Sequence, residues 1–290
     1  MVSPIKGLQL ALLAALISGV SVFVNKFAMV GINPLTFTTT KNFTVGLLLF
    51  SFLIFSKKIL LIKSLSLSQI SKLVLIGVIG GSLPFYLFFT GLAQTSAVNA
   101  AILQKTLVLW VALLAVPFLK EKLSPFQIVG VILLFASNLV VGGFKGFSFN
   151  FGEQMILVAT ILWAVETVIA KKALKTVDVD LVTGARMGLG SLVLVFLGGL
   201  QPVTSSQFVS IGVTAVMLLA YVSVWYRALK YAPAVVVTSI LVLATLVTNL
   251  LSSSINLSQI SLMMLGAGLL LSKLLWSKTR DFFAPAKLKL

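Results

Sequence analysis

The sequence predicts an all-α integral membrane protein whose ten transmembrane helices form two inverted five-helix repeats. Three observations carry this. Apolar residues make up 59% of the 290 residues and charged residues only 10%, whereas a soluble domain carries about 25% charge. The apolar residues fall into ten stretches long enough to cross a bilayer. The first half of the chain also matches the second at a nearly constant offset.

A spanning helix needs about 20 mostly apolar residues, because the hydrocarbon slab is about 30 Å thick. It must be helical, because lipid offers the backbone no hydrogen-bond partner. The stretches run over 7–26, 34–56, 70–92, 96–118, 125–142, 153–172, 180–200, 206–229, 233–251 and 257–276. The first follows Lys6. It is longer than a signal core and has no small-x-small cleavage site before Asn25-Lys26, so it reads as a retained helix. The second opens on Asn33-Pro34, the fifth on Ser124-Pro125 and the ninth on Ala232-Pro233, each with proline in the first turn. Pro84 in the third and Pro117 near the end of the fourth predict kinks. The sixth and seventh carry Glu166 and Arg186, and the eighth carries Tyr221, Trp225 and Tyr226. In the tenth, Gly266-Ala267-Gly268 permits tight helix contact, within one chain or across a homodimer.

Basic residues orient the bundle. With the N-terminus inside, the inner loops and tails hold seventeen of the 22 Lys and Arg residues, among them Lys57, Lys58, Lys171, Lys172 and Arg227. The outer side holds Lys26 and Lys145 only, and Lys41, Lys105 and Arg186 lie within spans. Both termini are therefore expected in the cytoplasm, with the chain a multi-pass protein of the cell membrane.

At an offset of 145, Gly7-Leu8-Gln9 matches Gly152-Glu153-Gln154, Lys26 matches Lys171, and Lys41 matches Arg186. The offset then shrinks: Ser68-Gln69 matches Ser206-Gln207, and Gly91-Leu92 matches Ala228-Leu229. This divides the chain into repeats at 1–148 and 149–290. Five spans per repeat is an odd number, so the second copy lies upside down relative to the first. Such an architecture allows a midplane site to be reached from either face. Ala14, Ser18, Ser21 and Asn25 form one helical face in the first repeat, matched by Ala159, Trp163, Glu166 and Ala170 in the second. Small and hydroxyl residues there serve close helix packing or a polar lining.

Leu162-Trp163-Ala164-Val165-Glu166-Thr167-Val168-Ile169-Ala170-Lys171 resembles the opening helix of an EamA domain, with tryptophan, a small residue and a later lysine at the matching spacing. Phe118-Leu119-Lys120-Glu121-Lys122-Leu123-Ser124-Pro125-Phe126-Gln127, followed by Gly130, resembles the same domain's inner loop between its fourth and fifth helices. With the ten spans and the duplication, nearly the whole chain resembles the EamA-domain family of the drug/metabolite transporter superfamily. The sequence departs from the pattern at Ser18, where the tryptophan is expected, at Ser21, where an amide is, and at Glu166. It also lacks an acid beside Ser258-Gln259 to match Glu121. The resemblance implies export or exchange of small organic metabolites.

A charge at the centre of a span costs about 2.5–3.5 kcal/mol, so each needs a reason. Glu166 and Arg186 lie on consecutive antiparallel helices at similar depth and could form a buried ion pair. The other reading is a proton or substrate site, with proton coupling through Glu166. Lys41, nearer the outer face, is expected to snorkel outward. Lys105 lies about ten residues from either end of its span and cannot. A stranded lysine loses its proton or finds an anion, so Lys105 is expected to meet a carboxylate or phosphate of the substrate. Trp163, Tyr86 and Tyr221 pair an apolar wall with a polar tip, and Ser21 adds a hydroxyl. Trp225 and Tyr226, near a span end, read as interfacial belt residues.

These residues predict an alternating-access carrier of small, carboxylate-bearing metabolites such as amino acids. The alternative is an integral membrane enzyme or flippase acting on lipid-linked substrates. Histidine and cysteine are absent, which removes thiol and imidazole chemistry. No cofactor, metal or nucleic-acid partner is expected. Gly80-Gly81 and Gly142-Gly143 are isolated pairs rather than a nucleotide-binding loop.

Overall fold

A computed structural model describes residues 4–140, 146–198, 200–251 and 257–283, with side chains except those at 4, 26, 97, 98 and 273–283. Gly142-Gly143, Lys145, the Lys26 side chain and the basic side chains from 273 onward lie outside the described residues. The fold is all-α. Among the described residues, eight helices are long and apolar enough to cross a membrane, and two more apolar helices, Pro125–Val140 and Leu257–Ser272, are shorter.

The first half opens with α1 (Pro4–Ala28) and α2 (Pro34–Phe55). Asn33 caps α2 by accepting from the N–H groups of Leu35 and Thr36, which turns the chain back on itself. A 3-10 segment, Lys58–Ser64, leads to α3 (Leu67–Ile76). There Ser66 and Gln69 form a reciprocal capping box. The helix then widens into a π-helical stretch, Gly77–Ser82, before α4 (Leu83–Leu92). Next come α5 (Ala97–Lys105), α6 (Leu107–Leu119) and α7 (Pro125–Ala136).

The second half holds α8 (Phe151–Ala173), α9 (Val179–Phe196), α10 (Ser205–Tyr231), α11 (Ala234–Leu241), α12 (Ala244–Leu251) and α13 (Leu257–Phe283). The capping box of α10, Thr204 with Gln207, repeats that of α3. The matched Ser68-Gln69 and Ser206-Gln207 thus mark the same helix start in each half. The fourth crossing is broken in both halves, between α5 and α6 at Thr106, and between α11 and α12 at Val242-Leu243. No glycine or proline announces either break.

Packing between the halves is exchanged in kind. α1 lies against α10 and α4 against α8, while α2 packs on α9 and α7 on α13. Gly7 at the start of α1 touches Ala232, and Lys171 near the end of α8 donates to the Ala232 carbonyl. The first helices of the two halves therefore run in opposite senses. Gly266 meets the Gly130 carbonyl where α13 crosses α7, so this glycine serves a contact within one chain. Buried alanines such as Ala14, Ala15, Ala164 and Ala228 let the central helices approach closely. Leu12, Leu48, Phe50 and Val213 are exposed on the outer belt, as a lipid-facing surface requires.

Candidate functional site

The site is organised by Pro84, which has no N–H to return to the carbonyl of Gly80 one turn earlier. That oxygen is taken by side chains of the second half: Trp163 Nε1 donates to it at 3.1 Å and Arg186 Nε at 3.3 Å. The Gly81 carbonyl accepts from Asn42 Nδ2 at 3.1 Å. Any side chain at Gly80 would collide with Glu166, whose Cγ lies 2.3 Å from the ideal Cβ position, and at Gly81 the Arg186 carbonyl lies 1.8 Å away. The expected kink is thus a polar junction between halves, and the glycine pair is what lets α8 and α9 reach it.

Glu166 and Arg186 flank this junction, 1% and 5% exposed. A direct ion pair was one of two readings of these residues; the ion pairs seen among the described residues lie elsewhere. Instead the Tyr226 hydroxyl donates to Glu166 Oε1 at 2.5 Å. The Arg186 guanidinium lies over the rings of Phe85 and Tyr226, 5.5 and 5.6 Å from their centroids. Tyr226 is fully buried, not an interfacial residue. It supplies the donor a buried carboxylate needs, and its ring face helps hold the neighbouring cation.

Glu166, Arg186 and Phe85 wall the inner lobe, about 110 Å³, of a chamber between the halves. Lys105, Gln104, Glu166 and Arg186 supply its polar surface, and Phe85, Trp163, Tyr221 and Trp225 its aromatic walls. Trp225 is buried and stacks on Tyr221 at 5.9 Å between centroids, so it too lies deeper than the sequence predicts. Lys105 ends α5 just before the break, is 5% exposed, and has Gln104 Oε1 at 3.3 Å as its acceptor. The Thr106 hydroxyl braces the break, donating to the Leu103 carbonyl and accepting from Trp110 Nε1.

A larger outer lobe of about 510 Å³ shares Ser18, Phe85, Gln104, Trp163 and Tyr221 with the inner one. It adds Ser21, Asn25, Lys41, Asn138 and Asn249, and reaches Met29 and Thr95 in the loops at one end of the bundle. Ser21 Oγ has no hydrogen-bond partner. Tyr86 lines neither lobe. The π stretch adds a residue to the turn before α4 and shifts the helical phase, so Phe85 faces the chamber in its place. Lys41 does not snorkel: it is 2% exposed, 4.4 and 4.5 Å from the Phe37 and Phe89 ring centroids, with Asn25 Oδ1 at 3.4 Å.

The other end of the bundle is latched by charges. Lys58 pairs with Asp178 at 3.3 Å and with Asp180, and Arg227 reaches Asp180 at 2.5 Å. The hydrogen bond to the Asp180 carboxylate leads the effects that raise the Lys58 ammonium above its ordinary value. Pro233 gives α11 no side-chain cap. Glu121 supplies one from the first half, accepting from the N–H groups of Ala234 at 2.6 Å and Val235 at 3.2 Å. Lys171 closes the end of α10 by donating to the Leu229 and Ala232 carbonyls. None of these six residues was expected to act at a site. Glu121, marked by its loop motif, was the one with a visible signal.

A multi-pass bundle of membrane-crossing helices surrounds an aromatic-walled chamber that holds buried charges, with ion pairs gathered at one end. The model of the EamA-like transporter family matches residues 5–143 and again 150–277, and the chain belongs to that family. An uncharacterized transporter of Archaeoglobus fulgidus is 33% identical over 57% of this chain and 59% of its own length. The uncharacterized transporter YyaM of Bacillus subtilis is 30% identical over 48% of each chain. One of Methanothermobacter thermautotrophicus is 28% identical over 38% of this chain and 34% of its own. The chain thus spans about a third to three-fifths of the curated relatives it matches. A solved crystal structure shares the fold at a TM-score of 0.70, over 93% of this chain and 98% of its own, at 16% identity.

Proposed function

We propose that the chain is an alternating-access carrier that exports or exchanges small carboxylate-bearing metabolites, amino acids among them, with the substrate carboxylate held by Lys105. One observation carries the reading: a buried ammonium lines the inner lobe, and its protein acceptor is a neutral amide. A cation in so dry a site calls for an anion. Trp163 and Tyr221 then flank the substrate body, and Ser21 is a free hydroxyl on its way in. Glu166, held by Tyr226 beside Arg186, is the group through which protons would couple.

The frame of the reading is ten crossings in two inverted repeats, at 1–148 and 149–290. The opposed directions of α1 and α8, the exchanged packing and the paired breaks in the fourth crossings support it. Interrupted helices at matching positions of the two halves are where such carriers hold their substrates. The latched end gathers Lys57, Lys58, Lys171, Lys172 and Arg227, which supports placing it, and both termini, in the cytoplasm.

Uptake of radiolabelled amino acids and organic acids into proteoliposomes tests the assignment. Lys105→Ala is expected to lower transport of the preferred carboxylate about 10-fold or more, and Glu166→Gln to flatten its dependence on a pH gradient. Full, proton-responsive uptake in both variants would remove the assignment.

A further inference from the structure

We propose that Lys41 forms a second anion site at the outer end of the chamber, where an incoming carboxylate or phosphate group is first received. This rests on reading the chamber as the transport path, but not on Lys105 as the deep site.

The chain has six acidic residues, and the five whose side chains are described are all committed. Glu121 caps α11, Glu166 is held by Tyr226, and Asp178 and Asp180 sit in the latch. Glu153 accepts from Asn99 and from the Phe149 N–H, both at 2.5 Å. None of them pairs with Lys41. Two phenyl faces lie 4.4 and 4.5 Å from its Nζ, an arrangement that favours a cation over a neutral amine. Its hydrogen-bond acceptor, Asn25 Oδ1 at 3.4 Å, is neutral.

The position is that of an entry point. Asn25 and Phe89 each lie three residues from the end of their helix, about one turn or ~5 Å in. Lys41 lines the outer lobe, whereas Lys105, Glu166 and Arg186 line the inner one. A single-sign charge in a low-dielectric cleft concentrates counter-ions at its mouth. An oxyanion there can take the ammonium and the Nδ2 of Asn25, which makes no hydrogen bond among those of the described residues.

The test uses iodide as the anion and acrylamide as a neutral control, both quenching the fluorescence of Trp163, which lines both lobes. The full chain is studied in zwitterionic micelles at low ionic strength, with Trp163→Phe identifying the signal. Lys41→Gln should cut the iodide quenching constant about threefold or more and leave the acrylamide constant unchanged. Lys41→Arg should preserve both. Asn25→Asp, which gives Lys41 a resident carboxylate, should suppress iodide as Lys41→Gln does and serves if that variant fails to fold. Iodide quenching unchanged in Lys41→Gln or in Asn25→Asp would overturn the site. Lys105→Ala is expected to lose transport while keeping the iodide response, so a failure here and a failure of the deep site give different results.

Discussion

A carboxylate and a guanidinium share the polar junction without touching, and Tyr226 explains how both stay buried. Its hydroxyl satisfies Glu166, and its ring shares the Arg186 charge with Phe85. Removing that hydroxyl leaves a buried carboxylate without its donor, so Tyr226→Phe should destabilise the protein by about 1–3 kcal/mol, read as a lower melting temperature in detergent. Glu166→Gln keeps an acceptor for the same hydroxyl and should melt close to the parent. Sequence reasoning singled out Lys105, Glu166 and Arg186 because the cost of charge in lipid makes such residues conspicuous on any helix, and Trp163 through the stripe matched between the halves. Tyr226 and the ring cage of Lys41 were not legible. Their partners come from other helices, and a tyrosine near a span end carries the same local signal whether it faces headgroups or an acid.

At the scale of the helix, a backbone that cannot complete its own ladder becomes a receptor for side chains. Pro84 leaves the Gly80 oxygen to Trp163 and Arg186. Pro84→Ala restores an N–H that competes for this oxygen. We expect the variant to fold with stability within about 1 kcal/mol of the parent and to lose transport about 10-fold, because the two side chains lose their anchor. Glu121 shows the converse, a cap delivered from a distant loop. Glu121→Ala should cost about 1 kcal/mol, visible as faster hydrogen exchange at the start of α11. An irregularity at Pro84 was readable from residue type, and the π-helical stretch ends just before it. The breaks at Thr106 and Val242-Leu243 were not, because they depend on hydroxyl bonding and packing that spacing does not encode.

For the molecule as a whole, the charged latch ties the two halves together at one end. Lys58 comes from the first half, and Asp178, Asp180 and Arg227 from the second. Asp180→Asn leaves two cations facing each other and should loosen that end. Because cysteine is absent, a single Thr238→Cys in the inner lobe reports access cleanly. An impermeant maleimide should label it from the latched side several-fold faster in the Asp180→Asn background. A raised Lys58 ammonium stabilises the closed form fully below its unfolded value, about 10.5, and that support fades only as pH climbs through the higher folded value. Labelling should therefore be flat through neutrality and rise only in strong alkali. Apolar runs made the membrane class legible and the matches at a near-constant offset the duplication, while the latch needed the loops to be brought together. Its scarcity of acids has a further consequence for how the gene can drift. With every described carboxylate engaged, a saturation mutagenesis library should deplete sharply at Glu121, Glu153, Glu166, Asp178 and Asp180. Extra lysines at exposed loop positions such as Ser64 should persist, so the net charge can rise by lysines gained but not by carboxylates lost.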